Sequence, residues 1–599
     1  MKTPKLSSRI LHVALTGDDS NPGSEASPLR TISAAAHIAQ PGDTVRVQAG
    51  IYRERIDPPR GGRSDAERIT YEAAEGEAVE IRGSEKLTGW RNLEGRIWEA
   101  TIPNEDFGDF NPFVQLIEGD WFLNMGRPHH TANIYFNATT MHEAVVPEKL
   151  QKRFWYARVE PDQTVIRANF GPKDPNESDV EMNMRPTIFY PSQTGINYIT
   201  VRGFTMTRTA TKWAPPTAEQ IGAIGTNWSK GWIIENCTVT HSRCVGITLG
   251  KHGDEFDNQS ANLAGGYVGT IERALARGWN RDNVGSHIVR NNTIAHCEQA
   301  GIVGSLGAIY SEITGNVIHD IHVHCLFNGS EQAGIKFHAP IDSLIADNHI
   351  YSTVRGMWMD WMTQGTRITR NLCHDNAEQD LFVEVNHGPF LIDHNLFLSN
   401  MSLWSMSQGG AFVHNLFGGR ISRVPELGRE TPWHPEHSTE IAGLSNIRGG
   451  DERYLNNLFV RPSALKAAEG AIDYVRSANN VADHECFPNM AEGNHLMTLV
   501  PELVEVEDEY YLELGPGQEP PALVEPVTTE RLGATAVSKL HYKDVDGDTL
   551  CLDHDYLGQS RDPKVLIPGP FAPAVWMKKR VRVYGSSAAN ESASQNAIF

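Results

Sequence analysis

Through the middle of the chain, apolar positions follow neither a helical period nor the plain alternation of a two-faced sheet. An apolar residue recurs three positions before an asparagine, usually with another two positions after it. The motif occurs at Ile233–Asn236, Val289–Asn292–Ile294, Ile313–Asn316–Ile318, Ile345–Asn348–Ile350, Ile368–Asn371–Cys373, Ile392–Asn395–Phe397, Phe412–Asn415–Phe417 and Tyr454–Asn457–Phe459. From Asn292 the asparagines are 24, 32, 23, 24, 20 and 42 residues apart. A period in the low twenties with occasional insertions marks a solenoid. Each unit reads as short strand, Asn turn, short strand, turn, short strand. Asn tolerates the left-handed backbone region and hydrogen-bonds its own kind along a stack. Stacked coils bury one shared core. A leucine-rich repeat would need Leu at fixed offsets and a helix per unit, and a propeller would need units of roughly 40–50 residues. The pattern predicts an all-β chain whose main body, residues 186–500, is a right-handed parallel β-helix. The step of 42 predicts one degenerate coil.

Outside that body the pattern changes. Residues 1–85 read as a cap and first coils: an Ala-rich helix from Thr31 to Ala39, capped by Thr31 and stopped at Pro41-Gly42-Asp43, then a strand at Thr44–Val47. Residues 86–185 are richer in Trp and Phe and lack the repeat, which predicts an inserted β-sandwich. Residues 501–599 read as an irregular tail, Pro-rich around Pro516 and Pro520-Pro521, with a disordered end. Asp544-Val545-Asp546-Gly547-Asp548 resembles the opening of a calcium loop, but Thr549 stands where that loop needs Gly, so an acidic turn is expected.

Charge narrows the partners. The 599 residues carry a net charge of -21, which repels nucleic acid and anionic membrane and disfavours a polyanionic substrate. A neutral sugar polymer meets no such repulsion. The seven cysteines are odd in number and form no CxxC, as expected of free thiols in a reducing cytoplasm. The first residues carry no apolar run of signal-peptide length, and no stretch reads as a membrane span, so a cytoplasmic protein is expected.

A second repeated mark, Gly followed by an apolar residue, lays the coils over one another at Gly246, Gly301, Gly334 and Gly356, with Asp380-Leu381 in the equivalent place. Three strands then align: Ile335–His338, Met357–Asp360 and Leu381–Glu384. Alternation turns Ile335, Phe337, Met357, Met359, Leu381 and Val383 inward, and Lys336, His338, Trp358, Asp360, Phe382 and Glu384 outward. His338, Asp360 and Glu384 form one column. Rungs lie about 4.8 Å apart, so the two carboxylates should stand at the roughly 5 Å separation of retaining glycosidases. Trp358 is a candidate platform for a sugar ring. Trp361 points inward unless a turn begins there. Asn386 and His387 supply polar groups at the coil's edge, and Glu331 and His338 are candidate hydroxyl ligands. Asp380 is a nearby competitor.

Two stretches carry a resemblance. Leu15–Glu54 is similar to the N-terminal cap of many β-helix polysaccharide-active proteins. Gly356–Ser399, containing WMDWM and FVEVNHGP, resembles the core of the family 120 glycoside hydrolases, which are β-xylosidases. The resemblance implies a right-handed parallel β-helix whose inserted sandwich is immunoglobulin-like, and a retaining mechanism on xylobiose and short xylo-oligosaccharides, with Asp360 as nucleophile and Glu384 as acid/base. It also implies a homotetramer, no metal and no organic cofactor. Two other classes fit the solenoid alone. A β-helix polysaccharide lyase would need a calcium-binding acidic cluster beside a basic residue, and the column offers Lys336 without a second cation. A non-catalytic glycan-binding solenoid would be indifferent to Asp360→Asn.

Overall fold

The computed structural model describes residues 8–424, 426–461, 472–478, 480–482, 495–496, 500–514, 521–576, 578 and 580–585. Cys486, Pro516, Pro520 and residues 586–599 lie outside the described residues. The chain forms two compact units.

The first unit comprises Met1–Asn262, Thr293–Val303 and Ile321–Gln332. Its helix Ile32–Ile38 is capped as expected, with the Thr31 side chain accepting from the Ala34 amide. Parallel strands then stack in order: Ile10–Val13, Thr44–Val47, Ile69–Ala73, Ile199–Arg202 and Ile233–Glu235. Between Ile69–Ala73 and Ile199–Arg202 the chain departs into two further sheets. One holds Ser84–Lys86, Ile134–Phe136, Thr139–Thr140 and Val180–Asn183. The other holds Arg91–Glu94, Ile97–Pro103, His142–Glu143, Phe154–Val159 and Gln163–Asn169. They share a core that includes Trp90, Phe113, Ile134, Trp155 and Ile166. At the root of this insertion Glu181 is fully buried and paired with Arg53, Arg82 and Arg208. Burial would raise its pKa, yet the arginines and Ser84 bring it down to about 2.

One coil lies a single residue out of step with the sequence repeat. In the coil of Ile233–Glu235, Ile234 is the core residue and Asn236 is exposed with φ 53°. Cys237 takes the inner place, its thiol directed at the Val201 and Glu235 carbonyls.

The second unit comprises Leu263–Asn292, Gly304–Asp320 and Ala333–Phe599. Its parallel strands pair coil upon coil in three ladders, the arrangement of a parallel β-helix. The first runs from Ile288–Arg290 through Glu312–Thr314, Leu344–Ala346, Arg367–Thr369, Phe390–Asp393 and Gly410–Val413 to Gly450–Leu455. The second includes His349–Thr353, Leu372–His374, Leu396–Phe397, Leu416–Phe417 and Leu458–Phe459. The third holds Ala333–His338, Arg355–Asp360, Gln379–Glu384, Met401–Met406 and Arg420–Arg423.

The asparagines form a continuous buried ladder. Asn292, Asn316, Asn348, Asn371, Asn395, Asn415 and Asn457 each donate both the backbone N–H and Nδ2 to Oδ1 of the next, ending on Asn480. The left-handed backbone residue is the one before: Asn291, Gly315, Asp347, Arg370, His394, His414 and Asn456 all have positive φ. Turn and ladder are thus separate jobs, and only the ladder demands Asn. Asn415 bonds directly to Asn457, so the step of 42 hides no degenerate coil. Its surplus residues leave the stack and include an antiparallel hairpin, Glu430–Trp433 with Gly443–Asn446.

The C-terminal segment is more ordered than its composition predicts. Glu502–Val506, Glu509–Glu513 and Val581–Tyr584 form an antiparallel sheet. Leu512, Ile567, Phe571, Trp576 and Val581 pack on the leucine row Leu372, Leu396, Leu416 and Leu458. Those leucines supply the apolar face against which these residues of the segment pack. Asp544–Asp548 is a turn closed by backbone bonds, and the Asp544 carboxylate is ion-paired to Arg367 at 2.5 Å.

Candidate active site

Strand register sets the site. Lys336, Trp358 and Phe382 are aligned across three rungs, as are His338, Asp360 and Glu384. Each member of the second column ends its strand. The next residues, Ala339, Trp361 and Val385, have φ of 56°, 24° and 48°, and a positive φ at a β-branched residue such as Val385 is strained. The turn at Trp361 breaks the alternation, so this ring does not enter the core. It packs edge-on against Tyr267, 5.1 Å between centroids, and Tyr267 also lies 5.1 Å from His338. Tyr267 comes from the helix Ala264–Ala276.

The column faces away from the core, yet it is not exposed: Lys336, His338, Asp360 and Glu384 are 1%, 4%, 4% and 7% accessible. Lys336 Nζ lies 2.6 Å from Asp360 Oδ2, His338 Nε2 lies 3.6 Å from the same oxygen, and the Trp361 amide donates to Oδ1 at 2.9 Å. Glu384 accepts from the Trp358 indole N–H at 3.0 Å through Oε2 and from Arg429 through Oε1. Burial alone would raise both carboxyl pKa values. At Asp360 the charges of Lys336, His338 and Arg429 outweigh burial and hold the group below its ordinary value. At Glu384 burial and the neighbouring Asp360 charge win over Arg429 and Lys336, pushing it up to about 7. Two carboxyls on adjacent rungs thus differ in proton affinity, one ionised and one poised to give a proton near neutrality.

Several expected ligands have other work. Trp358 offers no free ring face: Lys336 Nζ sits 3.2 Å from its centroid and Phe382 stacks on the other side at 4.9 Å. Its contribution is the N–H to Glu384. Asn386 is fully buried, accepting from the Thr363 amide and donating to the Met359 carbonyl and Ser407 Oγ. His387 is buried too. Its Nε2–H points at the Thr431 and Ser445 carbonyls, at 2.9 and 3.3 Å, and Nδ1 accepts from Gln408. Burial lowers its pKa to about 4, so it is neutral. Both residues hold backbone in place because their polar atoms are met inside the coil. Asp380 is likewise occupied by Asn376 and the Ser399 amide. Glu331 is buried in the first unit, two residues before the strand Ala333–His338. The 544, 546 and 548 aspartates do not converge into a metal-ligating group among the described residues.

Two partners escaped the sequence reading. Lys336 is outward-facing in the alternation and enters there only as the basic residue a lyase would need, not as the partner of Asp360. Arg429 was missed, and it is the second cation judged absent; the one signal for it was the overlong step between Asn415 and Asn457.

A stacked β-helix carrying an asymmetric pair of buried carboxyls defines a carbohydrate-active class of protein. Comparison with known proteins narrows it. Residues 87–153 match the family model described as glycoside hydrolase 120, insertion domain, and residues 221–417 match that of the right-handed β-helix region. Residues 15–57, the cap, match a family of unknown function, DUF1565. A solved structure described as the complex of XylC with xylose is 37% identical, with a TM-score of 0.89 over 96% of this chain and all of that one. Another, described as a glycoside hydrolase, is 12% identical with a TM-score of 0.46, covering 82% of this chain and 97% of that one. An uncharacterized Bacillus subtilis protein, YwoF, is 37% identical over 73 residues, 12% of this chain and 15% of its own length. The chain belongs to glycoside hydrolase family 120. It is therefore a glycosidase on a right-handed parallel β-helix with an insertion domain.

Proposed function

We propose that the protein is a retaining β-xylosidase that releases xylose from the non-reducing end of xylobiose and short xylo-oligosaccharides. The observation that carries this reading is the register of Asp360 with Glu384, adjacent rungs with opposed proton affinities. The xylose held by its 37% identical structural relative supports the choice of sugar. Asp360 attacks the anomeric carbon while Glu384 protonates the departing glycosidic oxygen. The Asp360 ester is then hydrolysed by water that gives its proton to Glu384, and the anomeric configuration is retained. His338 and Glu331 are the proposed ligands of sugar hydroxyls, and Tyr267 and Trp361 the aromatic wall. No metal or organic cofactor enters this mechanism. We further propose a homotetramer, on the family resemblance, and a cytoplasmic setting, which suits the free cysteines Cys237, Cys244, Cys297, Cys325, Cys373 and Cys551. No helix among the described residues is long and apolar enough to cross a membrane.

The test is p-nitrophenyl β-D-xylopyranoside hydrolysis, with the first-formed anomer read by proton NMR. Wild type should release nitrophenolate and β-xylose. Asp360→Ala should be inactive. Glu384→Ala should lose roughly 10²-fold or more and be rescued by azide with formation of β-xylosyl azide. First-formed α-xylose would overturn the retaining mechanism, and no release would overturn the xylosidase reading.

A further inference from the structure

The hairpin that replaces the expected coil is bolted to the stack. His387 holds the Thr431 and Ser445 carbonyls on its two strands. Gln408 bonds His387 through Nε2 and the Arg448 amide through Oε1. Gln364 grips both the N–H and the carbonyl of His434. The Ile447 amide bonds the Arg429 carbonyl, so Arg429 extends the hairpin by one residue pair. From this fixed base its guanidinium reaches Glu384 Oε1, with Glu426 3.8 Å from its other nitrogen.

Resting on the retaining reading above, we propose that Arg429 is a positioning residue for Glu384 whose main effect falls on the second half-reaction, the hydrolysis of the Asp360 ester. The charged groups around Glu384 are Asp360 and Lys336 on the preceding rungs and Arg429 on the hairpin. Behind them stand His338 beside Asp360, Arg355 over Trp358, and Glu426 beside Arg429. The following rung places Met406 opposite Glu384 and adds no charge. In the resting site burial and the Asp360 carboxylate together keep Glu384 protonated against the pull of Arg429 and Lys336. Esterification removes that carboxylate's charge and leaves the two cations. Glu384 must then be ionised to accept a proton from water, as the water oxygen bonds the anomeric carbon and the Asp360 ester bond breaks with its electron pair returning to Asp360. An N–H donor fixed on Oε1 favours that ionised state and, with the Trp358 N–H on Oε2, fixes the plane of the carboxylate, leaving the remaining lone pair of Oε2 for the water's proton.

The test is stopped-flow release of nitrophenolate from p-nitrophenyl β-D-xylopyranoside by Arg429→Gln and Arg429→Lys. Nitrophenolate leaves without much help from an acid, so formation of the ester should be nearly unchanged. Arg429→Gln should show a nitrophenolate burst, with kcat and KM falling together by roughly 10- to 100-fold and kcat/KM held within about 3-fold. The basic limb of kcat/KM, read on xylobiose because its sugar leaving group needs protonated Glu384, should move to higher pH, since a cation that lowers the Glu384 pKa is gone. Arg429→Lys keeps the charge and should show smaller effects in the same direction; it also decides the matter if the Gln variant does not fold. A fall in kcat/KM with no burst and an unmoved basic limb would assign Arg429 a merely structural role and overturn the proposal. Wild type that is inactive or inverting would remove the retaining reading and this proposal with it, whereas an active, retaining wild type with unaltered variants would remove this proposal alone.

Discussion

Asn395 and Asn236 occupy the same place in the sequence repeat and opposite places in the structure, so substituting each should give very different results. The Asn395 side chain donates through Nδ2 to Asn415 Oδ1, the Ile368 carbonyl and the Asp393 carbonyl, and its Oδ1 accepts from both the N–H and Nδ2 of Asn371. Asn395→Ala removes all of these and leaves the buried Asn371 backbone N–H without a partner. An orphaned buried donor costs about 1–3 kcal/mol, and each further net bond about 0.5–1.5 kcal/mol. The loss should therefore reach about 3–6 kcal/mol, a large part of the roughly 5–15 kcal/mol that stabilises a domain. Asn236 is exposed with a left-handed backbone, so Asn236→Gly should cost less than about 1 kcal/mol. Guanidinium unfolding followed by tryptophan fluorescence gives the global change. Hydrogen exchange of peptides spanning residues 366–374 and 390–398 localises it, since loss of a rung should loosen its neighbours first. A cost below about 1 kcal/mol for Asn395→Ala, or equal costs for the two variants, would refute the ladder as a source of stability.

Two further outcomes follow from the site. Lys336→Met removes the strongest charge holding Asp360 below its ordinary pKa, so that pKa should rise as burial is left less opposed. The proposed attack needs Asp360 ionised, so the acid limb of kcat/KM should move to higher pH, and an unmoved limb would sink the assignment of Lys336. His387→Phe leaves the Thr431 and Ser445 carbonyls unheld and frees the hairpin. Roughly 10- to 100-fold lower kcat is expected, with faster hydrogen exchange across 430–446, and unchanged activity would show that the hairpin keeps its place without this anchor.

The coil and the carboxylate column were legible for the same reason: both are written in periodic positions. Alternation, aligned on the Gly-apolar mark, placed His338, Asp360 and Glu384 in one column, and the strand register agrees residue for residue. What alternation cannot report is what lies on an outward face. The helix bearing Tyr267 and the hairpin bearing Arg429 are insertions with no period, so the column read as open when it is enclosed. Trp358 shows the same blind spot. Its outward position was read correctly, but Lys336 on one rung and Phe382 on the next close both ring faces, and only the indole N–H is left to act. The repeat also concealed a division of labour. Because an Asn or a polar residue often precedes the ladder Asn, turn and ladder looked like one residue's task, and Asn236 was aligned one place early.

The enclosure matters for the chemistry proposed. Deep in a protein, moving a net charge is costly, because little solvent is there to respond. In the resting site Asp360 is ionised, Glu384 is protonated, and Lys336 and Arg429 are cationic, which leaves one net positive charge among the four. After attack, Asp360 is a neutral ester, Glu384 is ionised, and the cations are unchanged, so the total is again one positive charge. The proton delivered to the leaving group compensates for the carboxylate consumed. Each cation then serves a different half of the cycle: Lys336 pairs with Asp360 before the ester exists, and Arg429 pairs with Glu384 once it does. A site built this way tolerates burial at every stage, and removing either cation should slow the half-reaction in which its partner carries the negative charge.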